Sequence, residues 1–378
     1  MMGRQWVGWC RSRDRSRGPW DISPHRSAFG HQPRGRSGLS CEWMGSVRSL
    51  DDPDWLRLVH GRPDATAFHL PAWSQAVAET YGFRPFVFVM EGVGRWAVAG
   101  QPVMEVRDLI GRRRLVSLPF TDHCPPLVEE GGNAGEFARS LVQAGIEVRA
   151  ELPAVSGALA ERVGTRHLVD LEPDPDVLFR RLHRNRIQKR IRRSRELGVE
   201  VSLSRSVADF ETFYRLHCQT RQRQGVPVQP RRFIGSIWEK VIEAGHGFVI
   251  LARAQNVPIA TALFLSWNRH LIYKYGASDR RYWRLGANFL VHWTAMEWGC
   301  VNGYQAYDFG RTDAGHDSLR EFKAAWGSTE VPLVYTFPGA RSESAGRGKA
   351  AGILSGIIRH SPALVCRTVG ELFYRYAA

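Results

Sequence analysis

The order of predicted strands and helices over residues 199–309 constrains the fold of this chain more than any other feature. A strand pattern at 199–204 is followed by helical patterns at 207–223 and 232–244. Strand patterns then follow at 247–254, 259–267 and 271–276. A helical pattern at 287–301 and a strand pattern at 306–309 complete the series. Apolar runs of strand length bounded by turn residues, alternating with longer helical patterns, are typical of a mixed α/β domain.

The first half of the chain shows a second set of such patterns. Helices are predicted at 51–59, 71–81 and 133–144. Strands are predicted at 85–91, 97–106, 114–117, 147–152 and 166–171. The chain has 378 residues, which suits two domains at roughly 150 residues each. Because the acidic, proline-bearing stretch 171–176 is a boundary signal, we expect domains at 46–170 and 171–340, with tails at 1–45 and 341–378.

The net charge of +15 is unevenly distributed. Residues 1–43, 176–197 and 341–378 together carry the whole excess of Arg and Lys, so the rest of the chain is close to neutral. A nucleic-acid-binding protein needs a basic face on its folded body. That class is therefore disfavoured but stays open as an alternative, as does a scaffold without catalytic activity.

The two tails and the cysteines bear on disorder, membrane contact and the redox compartment. Residues 1–43 are rich in Arg and lack an apolar signal core, so we expect disorder there and a translation start at Met44. Segment 350–376 reads as amphipathic helices that either pack across the first domain or lie on an anionic inner membrane leaflet. Six scattered cysteines without a C-x-x-C pair indicate a reduced compartment and no structural zinc.

The basic segment 177–197 cannot be one straight buried helix. At ~100° per residue, Leu178 and Leu182 fall on one side and Ile187 and Ile191 on the other. We therefore expect a break near residues 183–186, or burial between two domains. The charges are either a solvated face or contacts to an anionic partner.

Charged residues cluster where the strand 306–309 ends. Asp308 and Arg311 lie at this strand end, and a helical turn with Phe322 and Lys323 follows a polar loop. Open α/β sheets bind ligands at the ends of their strands, so this segment is the candidate rim of an active site. Asp122 belongs to a Thr-Asp-His-Cys-Pro-Pro stretch of turn composition, and a structural turn is the interpretation that we favour there.

Several motifs resemble one known family. They are YKYGAS, LGANFLVHWTAMEWGCVNG, AYDFGRT and SLREFKAAWG in the second half, with FHLPAWSQAV and RLVSLPF in the first. Together they resemble the Fem-type aminoacyltransferase (FemAB) family and the related BioF-like GNAT acetyltransferase domain over most of 46–340. The resemblance implies an α/β (α+β) fold of two tandem GNAT-like acyl-CoA N-acyltransferase domains. It also implies an acyltransferase that acts on an amine or hydroxyl of a lipid-linked cell-envelope, peptidoglycan or exopolysaccharide precursor. Such an enzyme would lie in the cytoplasm, either free or associated with the membrane.

The resemblance also assigns roles to residues. Lys323 would stabilise an oxyanion, and Phe322 would shape the acyl pocket. Asp308, at the strand end, is a candidate for accepting the amine proton, and an ion pair with Arg311 is the alternative. The residues implied in substrate binding are Arg186, Lys189, Arg311 and Tyr275, and those implied in binding donor phosphates at a helix N-terminus are Gly286, Ala287 and Asn288.

The identity of the donor stays open between acyl-CoA and aminoacyl-tRNA. We expect no metal cofactor. Acetyltransferases of this fold carry Gln or Arg three residues before the first glycine of their phosphate loop, whereas Trp283 stands three residues before Gly286 here. That departure counts against coenzyme A. The helical-hairpin arm of staphylococcal-type aminoacyltransferases has no counterpart in this sequence, which counts against tRNA.

Overall fold

The computed structural model describes residues 45–92, 96–108, 111–339, 358–359 and 363–377, which form two β-sheets with helices on their faces. The predicted N-terminal tail, the proposed start at Met44 and most of the C-terminal tail lie outside these residues.

The first sheet has the strand order β1-β2-β3-β4-β6, with β5 paired to β3. Its strands are β1 (Gly45–Arg48), β2 (Arg84–Glu91), β3 (Ala97–Arg107), β4 (Arg113–Val116), β5 (Leu127–Val128) and β6 (Ile146–Glu147). The predicted strand at 147–152 is thus much shorter than expected and starts one residue earlier.

The second sheet has the strand order β13-β7-β12-β11-β10-β9-β8. Its strands are β7 (Ala158–Asp170), β8 (Val199–Ser204), β9 (Gly247–Ala254), β10 (Val257–Trp267), β11 (His270–Ser278), β12 (Ala306–Thr312) and β13 (Thr329–Pro338). Strands β8 to β11 are antiparallel neighbours, and β12 runs parallel to β11.

Strand β7 belongs to this second sheet, although its predicted counterpart at 166–171 was assigned to the first domain. It pairs antiparallel with β12 on one side and with β13 on the other. The expected domain boundary at residue 171 stays a prediction, and the sheet pairing puts the preceding strand with the second half of the chain. Long-range pairing of this kind leaves no trace in local hydrophobic periodicity.

The helices lie close to the predicted positions. They are α1 (Pro53–Gly61), α2 (Pro71–Tyr81), α3 (Ala134–Gln143), α4 (Pro175–Arg181), α5 (Lys189–Glu196), α6 (Phe210–Gln224), α7 (Arg231–Ile237), α8 (Ala287–Val301), α9 (Asp317–Ala324) and α10 (Ala363–Phe373). Proline begins α1, α2 and α4, where its fixed φ suits the first helical turn.

A helical layer shared by both sheets holds the halves of the chain together. On strand β9, Val249 and Leu251 pack into a core that also contains Trp73 of α2 and Phe233 of α7. The alternate side chains of β9 point to the opposite face, where Phe248 packs with residues of α8. Since successive strand residues face opposite sides, the continuous apolar run of β9 is explained by burial on both faces.

The basic segment is broken as the apolar pattern predicted. Helix α4 ends at Arg181, Leu182 is extended with ψ 147°, and a π-helical turn at Arg184–Gln188 leads into α5. The four aliphatic residues that a single straight helix could not bury together are all buried; they are Leu178, Leu182, Ile187 and Ile191.

One face of the C-terminal segment packs on the shared core. Ile358 and Cys366 are buried there, and the Tyr374 ring lies 5.3 Å from that of Phe120. The Gln229 side-chain amide donates to the Tyr374 hydroxyl at 2.7 Å. Of the two expected alternatives, packing across the first domain describes the contact of Tyr374 with Phe120, whereas Cys366 donates to the Val226 carbonyl in the second half of the chain. Among the helices of the described residues, none has the length and apolarity that crossing a bilayer requires.

Candidate active site

Strands β11 and β12 part in the middle of the second sheet. They pair only between His270–Ile272 and Ala306–Asp308, after which β11 continues to Ser278 and β12 to Thr312. A cleft of about 560 Å³ opens beside the distal part of β11, between the start of α8 and α9. Its lining includes all three predicted donor-binding residues and the predicted acyl-pocket residue: Gly286, Ala287, Asn288 and Phe322.

The backbone at the start of α8 is suited to a close-approaching ligand. Gly286 has φ +69°, a left-handed conformation that glycine adopts without strain, and α8 begins at the next residue. The first N–H groups of an α-helix have no partner within the helix and carry partial positive charge. A role in binding donor phosphates stays a prediction for these residues.

Lys323 is held at the strand gap rather than in solvent. Its side chain is 3% exposed, and Nζ donates to the carbonyl oxygens of Gly310 at 2.9 Å and Arg311 at 3.0 Å. An ammonium has three N–H groups, so one remains for a further acceptor beyond these two carbonyls.

Burial is the main influence on the ionisation of Lys323. It lowers the pKa of the ammonium to about 8, while the negative charges of Asp308, Asp122 and Asp313 act in the opposite direction. A buried lysine usually loses its proton more readily because desolvation penalises the charged form. The three carboxylates therefore help to keep a cation at this position near neutral pH.

Asp308 is fully engaged in the structure. Its Oδ2 accepts from Arg166 Nη2 at 2.7 Å and Nε at 3.1 Å, and its Oδ1 accepts from the Gly310 N–H at 2.7 Å. The pairing of Asp308 with Arg311, which was the expected alternative to a catalytic role, is wrong, because Arg311 pairs with Asp313 instead.

His123 forms the outer end of this network. Its Nδ1 accepts a hydrogen bond from Arg166 Nη1 at 2.9 Å. Burial, followed by the positive charge of Arg166, lowers the pKa of His123 to about 3. The imidazole is therefore neutral and serves as an acceptor for the guanidinium.

Asp122 approaches the strand gap from the first half of the chain. Its Oδ2 lies 3.6 Å from Lys274 Nζ, and a Cβ placed on Gly310 would lie 3.3 Å from the same oxygen. The Asp122 side chain is 31% exposed, whereas that of Asp308 is 11% exposed. Of the two carboxylates, Asp122 is the more accessible to an incoming amine.

A β-bulge brings Lys274 to this position. Leu263 pairs with Tyr275 and Phe264 with Tyr273, which leaves Lys274 as the extra residue of β11. A bulge re-aims side chains, and here Lys274 Nζ donates to the Phe120 carbonyl at 2.7 Å beside Asp122.

The remaining predicted substrate-binding residues are spread around the site. Tyr275 lies on β11 with its ring 5.4 Å from that of His217, and burial raises its pKa well above the usual value. Exposed Arg186 lines a second cleft of about 330 Å³ together with Phe322, while Lys189 is exposed at the start of α5. Substrate binding by these side chains stays a prediction.

Four residues of the site were not predicted as functional: Asp122, His123, Arg166 and Lys274. For Lys274, a signal existed, since a lone lysine between two tyrosines in an otherwise buried strand needs a partner. Arg166 gave none, because its partner Asp308 is 142 residues away in sequence. Within the described residues, no group of three or more His, Cys, Asp or Glu side chains could hold a metal ion.

Residues 181–323 match the family described as the acetyltransferase (GNAT) domain. This segment is a GNAT domain. A UDP-N-acetylmuramoylpentapeptide-lysine N(6)-alanyltransferase of Weissella viridescens is 23% identical over 265 residues, which cover 67% of this chain and 75% of that protein. The crystal structure of FemX superposes with a TM-score of 0.60 at 14% identity, over 78% of this chain and 97% of FemX. That of L-PGS from Bacillus licheniformis gives 0.53 at 11% identity, over 83% and 99%.

These likenesses bear on the sequence-based predictions. The tandem GNAT-like α/β fold is confirmed, and so is the resemblance to Fem-type proteins. The protein with this GNAT domain is an N-acyltransferase.

The lowered pKa of Lys323 can be measured directly. We expect the Nζ signal in a lysine side-chain NMR titration to have a midpoint at about 8, assigned by its loss in Lys323→Arg. Asp122→Asn should move the midpoint to lower pH, because the carboxylate charge of Asp122 raises this pKa. A midpoint near the ordinary value of 10.5 in both proteins contradicts the desolvated environment.

Proposed function

We propose that this protein transfers an aminoacyl or acyl group from an ester or thioester donor to an amine of a peptidoglycan precursor. The Weissella relative supports this proposal, since its name describes transfer of an alanyl group to the lysine N6 of UDP-N-acetylmuramoylpentapeptide. A lipid-linked form of the precursor and an exopolysaccharide intermediate are the other acceptors of the same chemical type.

The observation that carries the proposal is the placement of a cation and an accessible carboxylate at one glycine. Lys323 Nζ donates to the carbonyl oxygen of Gly310, and Asp122 Oδ2 lies 3.3 Å from the position that a Cβ on the same residue would take. Acyl transfer to an amine needs a group that stabilises negative charge on the carbonyl oxygen and a group that accepts the proton of the nitrogen. Both groups converge at the point where β11 and β12 part.

The chemistry follows from these positions. The amine nitrogen attacks the donor carbonyl carbon, and the oxyanion that forms is stabilised by the charge and third N–H group of Lys323, a contribution of about 3 kcal/mol for one such donor. The nitrogen loses its proton to Asp122. The C–O or C–S bond to the donor then breaks, and the leaving oxygen or sulfur takes up that proton.

The donor is an acyl-CoA or an aminoacyl-tRNA, and both carry phosphates. Arg186 and the start of α8 flank Phe322 from the two clefts that share this residue. Guanidinium groups and helix N-termini bind phosphate well. We propose that donor or precursor phosphates lie along this path, with the acyl group against Phe322.

Removing the charge of Lys323 should strongly slow transfer. Lys323→Met preserves the length of the side chain, so we expect the protein to fold and kcat to fall by about 10²–10³, the loss typical of one oxyanion donor. The measurement is transfer of radiolabel from alanyl-tRNA or acetyl-CoA to UDP-N-acetylmuramoylpentapeptide.

Lys240→Met is the matched control. Lys240 lies on the helical turn after α7, pairs with Glu79 of α2 and is not part of this site. Its rate should equal that of the wild type. An unchanged rate in Lys323→Met would exclude Lys323 from the mechanism.

Two Asp→Asn variants separate the base from the structural carboxylate. Asp122→Asn should lower kcat by about 10²–10⁴ because it removes the general base. It should cost less stability than Asp308→Asn, because the pair that Asp122 makes with Lys274 is long, at 3.6 Å, and Lys274 keeps its hydrogen bond to the Phe120 carbonyl. Asp308→Asn should instead lower the free energy of unfolding by about 3–5 kcal/mol, because it leaves Arg166 buried without its charge partner. Urea unfolding and kcat are measured for both. If Asp122→Asn is fully active and Asp308→Asn is inactive but stable, the base is Asp308.

We further propose that the outer face of α10 contacts an anionic membrane leaflet. Leu372 and Phe373 are 58% and 54% exposed, and Arg375 follows them. Apolar side chains beside basic ones are typical of interfacial helices. The face that carries Cys366 stays packed on the core.

Flotation with phosphatidylglycerol vesicles tests this contact. Wild-type protein should float more than Leu372→Ser/Phe373→Ser, which leaves the buried face of α10 intact, and neither should float with phosphatidylcholine alone because the basic side chains then lack anionic partners. Equal flotation of wild type, the double variant and a truncation after Gly346 contradicts the proposal.

A further inference from the structure

An exposed tryptophan stands at the mouth of the cleft beside α8. Trp283 is 55% exposed, in a short helical turn at Arg280–Leu285 between β11 and α8. Its indole N–H donates to Ser278 Oγ at 3.0 Å, and the Arg223 guanidinium carbon lies 4.9 Å from the ring centroid. The ring is therefore held in one orientation although more than half of its surface faces solvent.

The surroundings of Trp283 suit a flat, anionic ligand. Arg223 lines the same cleft, and exposed Arg280 and Arg284 belong to the same turn as the tryptophan. The one carboxylate of this turn, Asp279, pairs with Arg281 at 2.6 Å. The excess of guanidinium groups favours phosphate, and a fixed aromatic face favours a nucleobase, which stacks on such rings.

We propose that Trp283 is a stacking platform for the adenine of the donor. This inference rests on the proposed function, because the two donors under consideration share one chemical feature. Coenzyme A contains an adenosine phosphate, and tRNA ends in an adenosine whose ribose carries the aminoacyl ester. We therefore expect the adenosine of the donor to bind at this end of the cleft and the acyl group to lie at Phe322, which lines the same cleft.

The platform also accounts for the sequence departure at this position. Trp283 stands three residues before Gly286, where acetyltransferases of this fold have Gln or Arg. A tryptophan gives up a polar contact to phosphate and provides a π-face instead. Arg223, brought in from α6, places its guanidinium over one side of the ring, and the exposed side is the one left for a base.

Binding measurements on four probes test the platform. They are coenzyme A, 4′-phosphopantetheine, and the RNA oligonucleotides 5′-ACCA-3′ and 5′-ACC-3′, titrated calorimetrically. Trp283→Ala should weaken the binding of coenzyme A or of ACCA by about tenfold or more, the usual loss for one base–aromatic stack. The probe without the terminal adenosine in each pair should bind all variants equally.

Two variants serve as controls. Trp283→Phe keeps an aromatic face and should remain within about threefold of the wild-type affinity. Trp96→Ala removes another exposed tryptophan, 48% exposed just before β3, and should change nothing. The arm that responds to Trp283→Ala also identifies the donor: coenzyme A indicates a thioester, and ACCA indicates an ester of tRNA.

Three outcomes overturn the platform. They are unchanged affinity in Trp283→Ala, failure of wild-type protein to bind either adenosine-containing probe, and an equal loss for the probes that lack the adenosine. Failure of the platform is distinguishable from failure of the proposed function, because Lys323→Met should strongly lower kcat while leaving every probe affinity unchanged. If Trp283→Ala binds normally and Lys323→Met is inactive, the platform is wrong and the acyltransferase proposal stands.

Discussion

The parting of β11 and β12 leaves backbone groups that must find other partners, and the site is built from those partners. Beyond Asp308, β12 no longer pairs with β11. The carbonyl oxygens of Gly310 and Arg311 accept from Lys323, and the Gly310 N–H donates to Asp308. Buried backbone polar groups are nearly always paired. The same side chains that satisfy this requirement therefore form the charged network of the site.

The two halves of the chain meet at this network. Asp122 lies on a turn of the first half, where Leu118 and Phe120 have positive φ values of 52° and 62°. Such strain in non-glycine residues persists only where surrounding contacts enforce it. The turn is fixed by side chains from both halves, since Trp73 donates to Thr121 and the Tyr335 hydroxyl to the Asp122 carbonyl. A tandem arrangement thus supplies a carboxylate to the GNAT domain of the second half.

Local pattern predicted most elements but not the connections between them. The bounds of β8, β9 and α8 agree with the hydrophobic periodicity, because each is buried along its length or on a defined face. Strand β13 was not predicted, because the buried residues of β13 do not alternate regularly and Pro332 and Pro338 argue against a strand. Lys323 could be singled out from its motif, whereas Arg166 could not, since only the pairing of β7 with β12 brings it to Asp308.

The charge balance of the site indicates which state of the reaction it favours. Among the described side chains around Gly310, three are cations, Lys323, Lys274 and Arg166, and two are anions, Asp122 and Asp308. Arg311 and Asp313 compensate each other. One positive charge is thus left over in a largely buried space, where electrostatic interactions are strong. When the amine nitrogen gives its proton to Asp122, the net charge of the site stays the same, but the negative charge moves from that carboxylate to the carbonyl oxygen beside Lys323. Lys323 therefore gains an anion within hydrogen-bond reach only once the tetrahedral intermediate forms, which is the condition for catalysis rather than tight substrate binding.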